Sequence, residues 1–93
     1  MCIVYILRSK VNASYYIGSC EDIEKRIYLH NNGFVKSTKR YKPWGLVYQE
    51  EYRSLSEARR RELQIKSWKK RAAIENLMKS RIRDNFGGPM VQW

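Results

Sequence analysis

The stretch YYIGSCEDIEKRIYLHNNG, residues 15–33, decides how this chain folds. Its first six residues (15–20), with two Tyr and an Ile, read as a strand. Asp22 then stands as a helix cap and Gly33 as a helix stop, which brackets a helix from about Asp22 to Asn31. Ile23 and Ile27 lie four apart and turn inward. At about 100° per residue, Arg26 and His30 fall close to that same inward arc. Burying charge is costly unless it has a partner or a task. An arginine and the single histidine of the chain, both aimed at the sheet, are therefore the first functional candidates.

Upstream, CIVYILRS (2–9) reads as a strand and KVNAS (10–14) as a polar turn, so residues 2–20 form an antiparallel hairpin. Gly18 inside the second strand marks a bulge or the close approach of another group. Downstream, LVYQEEYR (46–53) is a third strand. SLSE (54–57) has the spacing of a capping box, just ahead of a helix over about 55–68. A further helix runs from about 70 to 83, and NFGGPMVQW (85–93) reads as a loose tail. The expected fold is α+β: a three-stranded antiparallel sheet flanked by helices in the order β-β-α-β-α-α. We expect one domain over 1–83 and a C-terminal tail over 84–93.

The helix over 55–68 raises the same question as the first. Leu55, Ala58, Glu62 and Ile65 fall within an arc of about 80°. Glu62 is thus a carboxylate on an apolar face, and an inward Glu is usually paired or liganded.

The chain has 93 residues and room for one core. Nineteen Lys and Arg against nine Asp and Glu give a net charge of +10. A charge that large on a small domain points to a polyanionic partner, nucleic acid first. Membrane is not expected, because no basic amphipathic helix stands apart and no apolar stretch is long enough to span a bilayer. Cys2 and Cys20 have neither zinc-site nor disulfide-framework spacing, so a reducing cytoplasm is the expected setting. Residues 33–45, GFVKSTKRYKPWG, lack periodicity, and four of the seven residues from Lys36 to Lys42 are basic. Interleaved with Phe34, Tyr41 and Trp44, they suit backbone contact plus base stacking. Lys36, Lys39, Arg40, Lys42 and Trp44 are accordingly the expected DNA contacts.

With these residues in place, the sequence resembles the GIY-YIG nuclease superfamily, most of all its short stand-alone members. The resemblance rests on Val4-Tyr5, on Tyr16-Ile17-Gly18, on Arg26 eight residues after that glycine, and on His30 and Glu62. It is reinforced by Pro43, Leu46-Val47-Tyr48, Ser56-Glu57-Ala58, Arg61-Glu62 and Lys66, and it covers roughly residues 2–80. Where the family motif has glycine and isoleucine before its tyrosine, this chain has Ile3 and Val4.

The resemblance implies a metal-dependent endonuclease acting on DNA, with a place in repair or recombination. By that resemblance Glu62 holds one Mg²⁺ (or Mn²⁺), Tyr5 positions or deprotonates the attacking water with Tyr16 beside it, and Arg26 binds the scissile phosphate. His30 assists in proton handling or phosphate contact, and Gly18 lets the substrate backbone approach the sheet. Tyr5, Tyr16, Arg26, His30 and Glu62 are expected to converge on one concave surface. The rival reading is a DNA- or RNA-binding module of the same fold with little or no hydrolysis. Because no second domain is expected to supply specificity, a separate partner protein is the alternative source of it.

Overall fold

A computed structural model of the chain describes residues 1–87, with side chains as far as residue 79. Three strands, β1 (Cys2–Ser9), β2 (Tyr15–Cys20) and β3 (Trp44–Tyr52), form one antiparallel sheet in the order β2-β1-β3. Three helices follow the expected order: α1 (Ile23–Asn31) between β2 and β3, then α2 (Leu55–Trp68) and α3 (Arg71–Gly87). A short 3-10 turn, Lys39–Tyr41, lies in the loop before β3.

The local signals act as their chemistry requires. Asp22 accepts a hydrogen bond from the Lys25 N–H and Ser54 from the Glu57 N–H, each satisfying a donor that the first helical turn leaves open. Gly33, at φ 79°, turns the chain out of α1 in a conformation that L side chains rarely adopt. The irregularity in the sheet is not at Gly18. It lies between Ile6 and Leu7, which face Tyr48 and Leu46, leaving Val47 as the extra residue on β3. Two expected boundaries move. β3 begins at Trp44 rather than Leu46, because Trp44 and Gly45 pair with Ser9 and Arg8. Helix α3 continues to Gly87, past residue 83 and into the expected tail; residues 88–93 lie outside the described residues.

Strand alternation divides the core into two layers. Cys2, Val4 and Ile6 join Ile17, Tyr48, Ala58, Ile65, Ile74 and Leu77 on the face covered by α2 and α3. Ile3, Tyr5 and Leu7 join Trp44 on the face covered by α1, with Tyr16, Ile23 and Ile27 packed against them. Val4, Tyr5, Ile6 and Leu7 are 0% exposed, so the central strand is sealed on both sides. That placement makes Tyr5 a buried phenol, and a buried phenol needs hydrogen-bond partners.

Candidate active site

The Tyr5 hydroxyl finds two partners, both from α1. Arg26 Nε donates to it at 3.3 Å, and His30 Nε2 lies 3.0 Å away. Nδ1 of the same imidazole lies 2.7 Å from the Thr38 hydroxyl, which in turn donates to the Val35 carbonyl at 3.3 Å. His30 and Thr38 are both 0% exposed. Only one proton arrangement satisfies every atom: the Tyr5 O–H donates to a neutral Nε2, and Nδ1–H donates to Thr38. Burial, helped by the positive charge of Arg26, pushes the His30 pKa down to about 4, which keeps the imidazole neutral near pH 7. Burial pushes Tyr5 up to about 12, although the hydrogen bond and charge of Arg26 pull the other way. Tyr16 completes the group, its ring edge-on to His30 at 4.9 Å and to Trp44 at 6.3 Å.

Gly18 is the cross-strand partner of Tyr5. A Cβ at position 18 would stand 2.5 Å from the Tyr5 hydroxyl and 2.7 Å from its ring. The close approach read from this glycine is therefore made by Tyr5.

Glu62 reaches the sheet from the other side. Its carboxylate accepts a hydrogen bond from Ser19 at 2.6 Å and one from Lys66, also at 2.6 Å. Ser19 pairs with Val4, and so it points to the α2 face, whereas Gly18 and Tyr5 belong to the α1 face. Tyr5, Tyr16, Arg26 and His30 thus gather on one face, and Glu62 stands across the edge strand from them. The separation is still short. The path from the Tyr5 hydroxyl through Gly18 and Ser19 to Glu62 allows no more than about 13 Å by standard covalent dimensions. The candidate site straddles β2, the edge of the sheet, at two consecutive residues.

The basic loop divides in a similar way. Lys36, Lys39, Arg40 and Lys42 are exposed, with Lys39 and Lys42 gathered over Gly33. Trp44 is corrected: it is 4% exposed, its indole N–H donates to the Thr38 carbonyl at 2.8 Å, and its backbone is held by Asn31. A ring so enclosed cannot stack on a base. Phe34, 69% exposed, is the aromatic that the loop offers to solvent.

Two residues escaped the sequence reading. Thr38 sits in an aperiodic loop, and no local signal marks it as the anchor of His30. Glu50 had a signal in the period-2 spacing of Tyr48, Glu50 and Tyr52. Both phenols donate to its carboxylate, and Arg61 grips it with Nε at 3.0 Å and a second nitrogen at 3.1 Å. Burial opposes ionisation of Glu50, but these hydrogen bonds and the Arg61 charge outweigh it and hold the pKa below the ordinary value. The bidentate clamp fixes the rotation of α2 on β3, and with it the direction of the neighbouring Glu62.

An Arg–Tyr–His cluster thus lies beside a Tyr-Ile-Gly strand, with a helical Glu across the edge. Residues 1–78 match the model of the GIY-YIG catalytic domain, and the chain belongs to that family, a family of nucleases. Its relatives are UPF0213 proteins. It is 44% identical over 73 residues to one from Staphylococcus saprophyticus, covering 77% of this chain and 88% of that protein. It is 39% identical over 79 residues to one from Staphylococcus aureus, covering 84% and 94%. The solution NMR structure of the UPF0213 protein BH0048 from Bacillus halodurans has the same fold, with a TM-score of 0.54 and 34% identity over 85% of this chain and 84% of that one. No helix among the described residues is long and apolar enough to cross a membrane.

Proposed function

We propose that this protein is a metal-dependent endonuclease that hydrolyses phosphodiester bonds in DNA, with a place in repair or recombination. The observation that carries the reading is the Tyr5 hydroxyl held between Arg26 and His30 in a buried chain that ends on Thr38. Phosphodiester hydrolysis needs positive charge at the non-bridging oxygens and an acceptor for a proton of the attacking water. Arg26 commits Nε to Tyr5 and keeps its other N–H donors for the phosphate. A phenol near pKa 12 does not ionise unaided at neutral pH. Because its O–H is donated to Nε2 of the neutral His30, the phenol oxygen keeps an acceptor site beyond the Arg26 contact with which to orient the attacking water once substrate is bound. The Tyr16 hydroxyl has no hydrogen-bond partner among the described residues, which leaves it for the water or the phosphate.

Among the described residues, no group of three or more His, Cys, Asp or Glu side chains could hold a metal ion. Glu62 fits a site of a different kind. It opens on a cleft of about 290 Å³ lined also by Ser19, Arg59 and Leu63. The ammonium of Lys66, on a half-exposed side chain, marks where positive charge is favoured. One hard carboxylate completed by waters and phosphate oxygens suits Mg²⁺. When bound, a divalent cation there supplies Lewis-acid stabilisation of the phosphate oxygens.

One observation favours the rival binding module: both Glu62 oxygens already have donors. The deciding experiment is cleavage of nicked, flapped and branched DNA with and without Mg²⁺ or Mn²⁺. Wild type is expected to cut only with metal. Glu62→Ala and Tyr5→Phe should stay folded and bind DNA without cutting, and Arg26→Ala should lower the rate about 10²–10³-fold. A wild type that cuts no structure hands the site to the binding-module reading. Variants that cut at the wild-type rate remove Tyr5 and Glu62 from the chemistry.

A further inference from the structure

A second basic surface lies on the opposite side of β2 from the 36–42 loop. Where α2 meets α3, a cleft of about 420 Å³ opens against the edge strand. Its floor is apolar, built from Ile17, Ile65 and Ile74, each less than 10% exposed. Its rim carries four consecutive or near-consecutive cations: Lys66, Lys69, Lys70 and Arg71. Among the described residues, no carboxylate lines it. The carboxylates nearby are engaged, Glu62 with Lys66 and Glu75 with Arg71, whose guanidinium lies 4.4 Å from the Tyr15 ring centroid. Lys69 and Lys70 are exposed and have no acidic partner among the described residues.

The cleft is continuous with both halves of the candidate site. Tyr16 lines it and packs on His30; Lys66 lines it and bridges to Glu62. From Ser19, beside Glu62, to Tyr15 is about 13 Å along β2 at the usual rise per residue. Lys69 also holds a left-handed conformation, φ 54°, at the C-cap of α2, a position where Gly or Asn is the usual residue. At that turn Lys69 places a cation on the rim.

We propose that this cleft holds the sugar-phosphate backbone of the polynucleotide on one side of the scissile bond, with Lys69 and Lys70 as its phosphate contacts. The inference rests on the nuclease reading above and adds a direction to it: the strand follows the edge of β2 from Ser19 toward Ser14. The 36–42 loop then serves the other side of the bond.

The test compares the full-length wild type with Lys69→Gln/Lys70→Gln and with Arg53→Gln/Lys79→Gln, a control that removes the same charge from exposed positions elsewhere. Affinity for a single-stranded oligonucleotide is measured across a salt series, and amide shifts are followed on titration. We expect the cleft variant to bind about tenfold more weakly near physiological salt, with a salt slope shallower by about 1.4, which is two phosphate contacts on a single strand. The control should stay within about twofold of wild type. The amides of Ser14, Tyr15, Lys69 and Lys70 should shift in the wild type. If wild type binds and cuts DNA while the cleft variant matches the control, this inference alone falls. If wild type binds no polynucleotide, it falls together with the nuclease reading. If a polyglutamate peptide displaces the oligonucleotide and shifts the same amides equally well, the cleft is an acidic-peptide site and the inference is overturned.

Discussion

Tyr5 and Gly18 face each other across β1 and β2, and the hydroxyl of Tyr5 occupies the space that a side chain at position 18 would need. The ring cannot yield cheaply, because Tyr5 is fully buried and its hydroxyl is held by Arg26 and His30. Gly18→Ala should therefore overpack the site, costing about 1–3 kcal/mol of stability. It should also displace the hydroxyl and abolish cleavage while the protein remains folded. Denaturant unfolding and the cleavage assay, run on one preparation, check both. A variant of wild-type stability and rate would mean that the space above Gly18 adjusts freely.

His30 makes stability depend on pH in a defined direction. Its folded-state pKa near 4 lies below the ordinary value of about 6.5. Between those values the unfolded chain binds the additional proton, so stability is full above pH 6.5 and falls as pH falls toward 4. The linked contribution is about 3 kcal/mol at most. His30→Gln removes this titration. The stability gap between wild type and His30→Gln should narrow as pH drops from 7 to 4.5, followed by thermal melting. A gap independent of pH would show that His30 is not held neutral.

Thr38 is a positioning residue. Thr38→Val keeps the shape but strands Nδ1–H in a buried setting, at about 1–3 kcal/mol. The ¹⁵N shifts of His30 should report the Nδ1–H tautomer in wild type, a changed tautomer or mixture in Thr38→Val, and recovery in Thr38→Ser. Cleavage should follow the tautomer. Identical spectra in all three proteins would remove Thr38 from the proton chain.

The basic loop and its tryptophan should separate experimentally. Replacing Lys39, Arg40 and Lys42 with Ala should weaken duplex binding of every sequence about equally and reduce the salt slope by about 2.7. Trp44→Phe loses the hydrogen bond to the Thr38 carbonyl and should cost about 1–3 kcal/mol of stability while leaving DNA affinity unchanged. Weaker binding by a stable Trp44→Phe protein would return that ring to the DNA surface.

Asp22 and Ser54 mark helix starts through a side-chain oxygen and Gly33 a helix end through its backbone freedom, and each depends only on near neighbours. The inward phase of Arg26, His30 and Glu62 followed from the 3.6-residue period and the apolar residues sharing each arc. Trp44 differs from its expected exposure because a basic, aperiodic loop reads as solvated along its whole length, and one buried ring inside it leaves no periodic trace.

The order of strands and helices, the hairpin and the inward phase of the charged residues were determined by the sequence alone, because each depends on spacing within about twenty residues, and the family followed from the chain-long order of those short motifs. Only the tertiary structure decided which face of the sheet each helix covers. Periodicity places Glu62 toward the sheet, but the crossing of the chain after β3 puts it on the face opposite Tyr5. The partners of His30 needed the same long-range information, since Tyr5 and Thr38 stand 25 and 8 residues away and meet it only when α1 and the loop close over β1. A buried hydrogen-bond chain is a property of three segments packed at once, and no one segment carries its signature.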